Sequence, residues 1–158
     1  MQNKKIVSVW LVVQDGANRG KVVLQKRSLK NKTSVFICQA AWAGKVEAGE
    51  SLEDAIKREC KEELGEDFAD NFDFSKLEFI KKDNLTIGEK TWESYNYFGK
   101  ISDEAIKMVK VHNEALEDLI FVDKKDLIYP LESGKDPKDN IVLFNDQYKI
   151  FKNILEKI

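Results

Sequence analysis

The sequence predicts an α/β domain, over residues 1–158, in which helices cover a mixed β-sheet. Runs of β-branched and aromatic residues alternate with two substantial segments of helical periodicity, which is the pattern of a layered α/β fold. A chain of 158 residues, 42% of them hydrophobic, has the size and composition of one domain with a sizeable core. No stretch of the sequence has the composition of an interdomain linker.

Strand candidates lie at the start and in the middle of the chain. Residues 6–13 are almost all β-branched or aromatic, as in a strand that is covered on both faces. A turn that contains Gly16 and Gly20 leads to a second strand from residue 22, so the chain opens with a hairpin-like pair. The further predicted strands are residues 36–42, 77–80, 91–101 and 119–122.

One helix is predicted over Leu52–Leu64. Ser51, followed three residues later by Asp54, resembles the start of a capping box. Gly65 suits the left-handed position just past a helix end. The segment between these two signals is therefore expected to be a single helix.

Two more helices are predicted near the end of the chain. A short one over residues 123–128 stops before Pro130, because a residue that precedes proline is pushed out of the α region. After a polar loop, the last helix is expected to be capped by Asp139 or Asn140. Its apolar residues recur at steps of three and four and would pack on the sheet. They are Phe144, Tyr148, Phe151, Leu155 and Ile158.

The composition excludes several classes of function. Lys plus Arg total 26 against 28 for Asp plus Glu, so no overall basic field gathers nucleic acid or anionic lipid. The apolar stretch near the start is far shorter than the roughly 20 residues of a membrane helix. The two cysteines, Cys38 and Cys60, cannot form a disulfide framework and are interpreted as packing residues. We expect a cytoplasmic protein with a small-molecule partner and without a membrane or nucleic-acid partner.

Three glutamates of the predicted helix lie on or beside its apolar face. At about 100° per residue, Glu59 and Glu63 fall between the apolar residues, and Glu62 falls at the margin. Carboxylates that face a core repel one another and resist desolvation. A hard divalent cation removes that conflict, and Mg²⁺ in particular commonly bridges carboxylates to substrate phosphates. The pattern therefore indicates a metal site on this helix.

The segment around this helix resembles the signature box of the Nudix hydrolases. The family pattern is Gly, five residues, Glu, seven residues, Arg-Glu, an aliphatic, any residue, Glu-Glu, any residue, Gly and a final aliphatic. The matching positions are Gly44, Glu50, Arg58, Glu59, Glu62, Glu63 and Gly65. Two positions depart from the pattern: Cys60 replaces the first aliphatic, which is a mild change, and Glu66 replaces the last. The resemblance implies an α/β/α sandwich with a mixed sheet flanked by helices.

The resemblance also implies what the box does. It would bind a divalent metal ion, Mg²⁺ or alternatively Mn²⁺, and hydrolyse a nucleoside diphosphate linked to another moiety. Roles carried over from the family make Glu59 and Glu63 metal ligands, Glu62 a ligand or near-ligand, the Gly44 carbonyl a further contact, and Arg58 and Glu50 a supporting pair. Family members are often dimeric, so a homodimer is a possible assembly.

The general base is open between several residues. Glu59 or Glu62 is the first choice, because a carboxylate near the metal can accept a proton from the attacking water. The family sometimes uses a glutamate outside the box, and Glu114 and Glu93 are the candidates here. The only histidine, His112, cannot assemble a histidine-based zinc site or a Ser-His-Asp triad easily.

Residues outside the box would contact the rest of the substrate. Lys26 and Arg27, at the end of the second strand, are candidates for substrate phosphate. Several aromatic side chains could include a platform for base stacking, although core packing is the more common role for each. They are Trp42, Trp92, Tyr95, Tyr97 and Phe98.

Four readings of the function are open. A (modified) nucleoside triphosphate, cleaved to nucleoside monophosphate and pyrophosphate, is the favoured substrate. Nucleotide sugars, ADP-ribose and dinucleoside polyphosphates are the alternatives within hydrolysis. Isoprenoid diphosphate isomerases share the fold but are expected to carry Cys-Gly-His where Ala43, Gly44 and Lys45 stand here. A binding module without turnover usually shows erosion of the acids, which are intact in this chain.

Overall fold

The computed structural model describes residues 4–31, 33–87, 89–110 and 116–158. The strands in these ranges are β1 (Lys4–Val13), β2 (Val22–Arg27), β3 (Cys38–Gln39), β4 (Trp42–Lys45), β5 (Glu78–Ile87), β6 (Lys90–Ile101), β7 (Leu116–Val122), β8 (Ile128–Pro130) and β9 (Ile141–Leu143). The α-helices are α1 (Leu52–Leu64), α2 (Glu66–Asn71), α3 (Asp103–Ile106) and α4 (Asn145–Leu155). Short 3₁₀ turns lie at Phe74–Lys76 and Leu131–Ser133.

The strands form one mixed sheet that forks at β1. The main order is β5-β6-β1-β2-β3-β9-β8, with β4 paired to β1 and β7 paired to β2. β1 runs parallel to β6 along its whole length. On its other side, β1 pairs with β4 in its first half and with β2 near its end, antiparallel in both cases. The fork brings the end of β4, where the box begins, beside the start of β1.

Alternate residues of β1 point into two separate cores. Val7, Val9 and Leu11 pack in one cluster with the apolar face of α1. Trp10 and Val12 pack in the other cluster with α4. Because β1 is buried on both faces, its sequence is apolar almost throughout, as predicted, with Ser8 as the buried polar exception. Helices thus cover both faces of the mixed sheet, and the predicted α/β architecture is confirmed.

The predicted strand at residues 36–42 is in fact two short strands, so that prediction is wrong. β3 pairs with β2 and β4 pairs with β1, so the chain changes partner between them, at Ala40 and Ala41. Both alanines are buried, which gives the segment the same apolar pattern as a single strand. The apolar pattern of this segment therefore reflects burial of its side chains and does not show that it pairs continuously with one neighbouring strand.

The helix predicted over residues 123–128 is also wrong. A turn occupies this segment and is closed by its own aspartates. The Asp123 carboxylate accepts from the Lys125 amide at 3.0 Å, and the Asp126 carboxylate accepts from the Asp123 amide at 3.1 Å. Aspartate side chains that bond the nearby backbone compete with helix formation. The chain then enters β8, which includes Pro130.

The last helix begins later than predicted, at Asn145, and neither Asp139 nor Asn140 caps it. The three residues before Phe144 form β9, which pairs in parallel with β3 and β8. These long-range pairings override the local cap signal. The apolar face of α4 packs on the sheet as expected, with Phe151 buried. No helix in the described ranges is long and apolar enough to cross a membrane.

Candidate active site

α1 is fixed against β4 by its caps and its apolar face. The Ser51 hydroxyl accepts from the Asp54 amide at 3.1 Å, and Gly65 ends the helix with φ +97°, a conformation that favours glycine. Ile56 and Cys60 are buried on the face toward the sheet. The indole N–H of Trp42 donates to the Ile56 carbonyl at 3.0 Å in the core. The Ser51 cap is therefore confirmed, whereas Gly65 ends the helix as predicted but with ψ 158°, outside the left-handed α region.

The backbone of β4 packs directly against two of the three acids. The Ala43 amide donates to Glu63 Oε2 at 3.0 Å. The Glu59 carboxyl lies against Gly44, where no side chain fits, because a Cβ there would collide with it. Glu63 is only 8% exposed and the Glu59 side chain 14%, whereas the Glu62 side chain is 57% exposed. Glu63 is thus buried, Glu59 is partly buried, and Glu62 lies at the solvent edge of the group.

Arg58 joins the acids of the box into one network. Its guanidinium makes a bidentate pair with Glu50, at 2.8 and 3.0 Å. Nη1 donates to Glu59 Oε1 at 2.8 Å and to Glu62 Oε2 at 3.3 Å. Nη2 also donates to the Lys45 carbonyl at 2.8 Å. The predicted Arg58–Glu50 pair is present, and it ties the start of the box to the middle of α1.

The electrostatics of the acids differ according to their surroundings. The hydrogen bonds from Arg58 lower the pKa of Glu50 to about 2, and Glu50 in turn raises the pKa of Arg58. Burial raises the pKa of Glu63 to about 8, and the charges of Glu59 and Glu62 act in the same direction. Burial also raises the pKa of Glu59, although Arg58 opposes that shift. Glu50 is therefore held as a charged partner, whereas burial disfavours the charged forms of Glu59 and Glu63.

This donor set fits a hard divalent cation by its chemistry. A buried carboxylate, a partly buried one and a third at the solvent edge supply oxygen ligands, and their mutual repulsion would fall if a cation lay between them. In the arrangement seen in the described residues, no three Asp, Glu, His or Cys side chains converge closely enough to hold an ion. Glu59 and Glu62 both point at Arg58 Nη1 instead.

The other predicted residues fall into two groups. Glu93 lies in β6, accepts from the Tyr95 hydroxyl at 2.9 Å and pairs with Lys82 at 3.3 Å. It lines a cleft beside the box, together with Trp92. Glu114 and His112 lie outside the described residues, so their roles stay predictions.

Lys26 and Arg27 do not line that cleft. Lys26 donates to the Lys138 carbonyl at 3.4 Å, and Arg27 donates to the Asn31 side chain at 2.7 Å. Both side chains are thus engaged in local contacts on the described part of the chain. Their predicted role at substrate phosphate stays a prediction.

The aromatic candidates separate in the same way. Trp42 and Phe98 are buried in the two cores, which matches the packing role considered for them. Tyr97 packs against the first core. Trp92 and Tyr95 line the cleft, with lysines near their rings. The sequence reading missed these lysines, because they come from three separate segments that only the sheet brings together.

Replacing Gly44 by Ala is expected to destabilise the protein by about 1–3 kcal/mol, because the added methyl group displaces the Glu59 carboxyl. Gly134→Ala is the control. Gly134 has φ +75° and open space around it, so its alanine suffers only backbone strain of about 1 kcal/mol. Urea unfolding of both variants measures the loss in free energy of unfolding that each substitution causes. The packing of Glu59 on Gly44 is wrong if Gly44→Ala unfolds at the wild-type urea concentration.

Comparisons with known proteins show the family and the fold of the chain. The family model for the NUDIX domain matches residues 4–144. No curated protein matches the sequence at a significant level. Among solved structures, the chain is similar to the NUDIX domain of Shewanella oneidensis NrtR in complex with ADP ribose, with a TM-score of 0.68 and 15% identity over 99% of this chain and 89% of that one.

Two further structures have the same fold. The MutT protein from Methanosarcina mazei Go1 has a TM-score of 0.59 and 19% identity, covering 99% of this chain and 96% of that one. A C. elegans Ap4A hydrolase has a TM-score of 0.54 and 13% identity, covering 97% of this chain and 99% of that one. At such identities these structures establish the fold alone. The family match spans most of the sequence, so the predicted family is confirmed: the chain belongs to the Nudix family and is a Nudix-type diphosphate hydrolase.

Proposed function

We propose that the protein catalyses the divalent-metal-dependent hydrolysis of a diphosphate linkage in a nucleoside diphosphate derivative. The favoured substrate is a (modified) nucleoside triphosphate, with nucleoside monophosphate and pyrophosphate as products. One observation carries the proposal: Glu63 is buried and Glu59 is partly buried on α1 against β4, beside an arginine that links three glutamates. Acids held in such a place lower the stability of the fold unless a bound cation offsets their desolvation and mutual repulsion.

Glu59, Glu62, Glu63 and the Gly44 carbonyl are the groups that would hold Mg²⁺, with Mn²⁺ as the alternative. The bound ion would neutralise phosphate oxygens and lower the pKa of a water molecule. The Ala43 amide orients Glu63 through its 3.0 Å hydrogen bond. Because Ala43 and Gly44 are adjacent in β4, one strand positions both a carboxylate and a carbonyl of the proposed ligand set.

The remaining residues of the network orient the acids and move a proton. Arg58 holds Glu59 Oε1 and Glu62 Oε2 with the same nitrogen, and Glu50 holds Arg58. Glu59 or Glu62 accepts the proton of the attacking water. The 57% exposure of the Glu62 side chain favours it for releasing that proton to solvent. Glu50 stays charged, accepts from the Glu47 amide at 3.1 Å and orients Arg58.

The ligands of similar proteins define the alternatives. ADP ribose is bound by the NrtR domain, and Ap4A is the substrate named for the C. elegans enzyme. Both are nucleoside diphosphate derivatives, and so are the nucleotide sugars. We further propose that the chain is a single domain that acts in the cytoplasm. We also propose that it forms a homodimer, and gel filtration with light scattering measures that oligomeric state.

A substrate panel tests the function. The purified protein is incubated with Mg²⁺ and nucleoside triphosphates, ADP-ribose, nucleotide sugars or dinucleoside polyphosphates, and the products are separated by ion-exchange chromatography. Release of nucleoside monophosphate, with pyrophosphate as the other product of triphosphates, is the expected result. Chelation with EDTA is expected to abolish turnover and excess Mg²⁺ to restore it. Failure to cleave any member of the panel would move the non-catalytic binding module to first place.

A further inference from the structure

A lysine-rich cleft of about 890 Å³ lies beside the box. One wall is residues 46–50, the start of the loop between β4 and α1. The opposite wall is formed by the starts of β1 and β6, which run side by side in parallel. Four lysines from three strands line it, namely Lys4 and Lys5 from β1, Lys45 from β4 and Lys82 from β5. We call this space the lysine cleft.

The four lysines are arranged over two aromatic rings. Lys4 Nζ and Lys45 Nζ lie 5.0 and 5.2 Å from the centre of the Trp92 ring. Lys5 Nζ and Lys82 Nζ lie 6.0 and 5.7 Å from the centre of the Tyr95 ring. Ring faces at these distances attract ammonium groups and limit the positions they adopt. The rings therefore keep like charges close together that would otherwise separate.

Most of the acids at the cleft are already paired. Glu93 pairs with Lys82, and Glu50 pairs with Arg58. Within the described residues, Lys4, Lys5 and Lys45 form no ion pair. Contact with Lys90 lowers the pKa of Lys4, and Lys45 acts in the same direction. The cleft thus holds an excess of positive charge that an anionic ligand would offset.

Lys45 connects the cleft to the box network. Its carbonyl oxygen accepts from Arg58 Nη2 at 2.8 Å, while its ammonium group lies over Trp92. Glu47 lines the cleft and lies 3.9 Å from Arg58 Nη1. A ligand held by the lysines would therefore be next to the arginine that orients the proposed metal ligands.

We infer that Lys4, Lys5 and Lys45 bind the phosphate groups of the substrate that lie beyond the diphosphate being cleaved. This inference rests on the proposed hydrolase function and narrows its substrate class to compounds with three or more phosphates. Three lysines without an ion pair to any described residue match a polyphosphate better than a molecule whose only phosphates are the two that flank the cleaved bond. Nucleoside triphosphates and dinucleoside polyphosphates are in this class, whereas ADP-ribose and nucleotide sugars are not.

Binding without turnover is the first test. Isothermal titration calorimetry, at low salt with EDTA, measures the affinity of the full chain for inorganic triphosphate and for pyrophosphate. The wild type is expected to bind triphosphate more tightly. The Lys4→Gln/Lys45→Gln variant is expected to bind triphosphate about tenfold more weakly, because each exposed charge pair contributes a few-fold in affinity. Wild-type affinity in this variant, or no triphosphate binding by the wild type, would overturn the inference.

Two matched variants separate charge from structure. Lys135→Gln is the control, since Lys135 Nζ lies 5.2 Å from the Tyr129 ring, outside the cleft, and its loss should leave triphosphate affinity unchanged. Lys45→Arg keeps the charge and should retain most of the affinity. If the double variant does not fold, Lys5→Gln replaces it, with an expected loss of about threefold.

Kinetics distinguishes failure of the inference from failure of the proposed function. The Lys4→Gln/Lys45→Gln variant is expected to raise KM for a nucleoside triphosphate about tenfold and to leave KM for ADP-ribose, if it is cleaved, unchanged. An equal rise for both substrates would contradict a subsite for additional phosphates. If no substrate is cleaved but triphosphate binds and the lysine variants weaken it, the hydrolase function fails and the polyphosphate site remains.

Discussion

Replacing Glu63 by Gln is expected to lower kcat at limiting Mg²⁺ by at least about 100-fold while leaving the metal-free protein as stable as the wild type or more so. The amide keeps the shape of the side chain, and its oxygen still accepts from the Ala43 amide. Activity falls because one anionic ligand of the proposed ion is lost. Stability does not fall, because a neutral amide is cheaper to bury than a carboxylate whose pKa is raised by burial.

The expected loss of activity without a loss of stability distinguishes a metal ligand from a residue that serves only the fold. A residue that served only the fold would lose stability and activity together when altered. Thermal unfolding in EDTA measures stability, and steady-state kinetics across a Mg²⁺ titration measures activity. Glu53→Gln is the matched control, because Glu53 lies on the exposed side of the same helix and should retain wild-type turnover. Normal turnover of the Glu63 variant at limiting Mg²⁺ would reject its role as a ligand.

The helix that carries the site could be predicted because its signals are local. Ser51 and Gly65 act within one turn of the helix ends, and the 3.6-residue period alone places Glu59 and Glu63 inward. The start of α4 could not be predicted in this way. Asp139 was as good a cap signal as any residue nearby, and pairing of β9 with distant strands decided the boundary.

Some contacts around the box could be predicted from the sequence and others could not. The pairing of Arg58 with Glu50 was expected from the family pattern, and it joins residues that are close in the sequence. The hydrogen bond from Arg58 to the Lys45 carbonyl was not expected, since a pattern of side chains carries no information on backbone acceptors. Glu62 was placed at the margin of the apolar arc, and its exposure shows which side of that margin it occupies.

The lysine cleft could not be predicted from the sequence. Lys4 and Trp92 become neighbours only through the parallel register of β1 and β6, and Lys45 joins them only through the antiparallel register of β4. Both registers are set by pairing across long stretches of chain. The composition did not indicate the cleft either, because the net charge of −2 is a sum over the whole chain and hides a local excess of lysines.

Replacing Arg58 by Lys is expected to lower kcat/KM by about 10- to 100-fold, although the positive charge is kept. Lysine has no planar fork, so it cannot reproduce the bidentate pair with Glu50 and the bonds to Glu59 and to the Lys45 carbonyl at the same time. Residues that orient ligands typically have effects of this size. Lys61→Gln, which removes an exposed cation from the same helix, is the control and should have wild-type kinetics.

A double-mutant cycle with Glu50→Gln shows whether Arg58 acts through Glu50. If the two residues work as one unit, the double variant loses little more activity than Arg58→Lys alone, because the first change already removes the shared geometry. The activation curve for Mg²⁺ should shift to higher concentration in all three variants, since a misaligned Glu59 binds the ion less well. Additive losses, or an unshifted Mg²⁺ curve, would mean that Arg58 contacts substrate itself instead of orienting the acids.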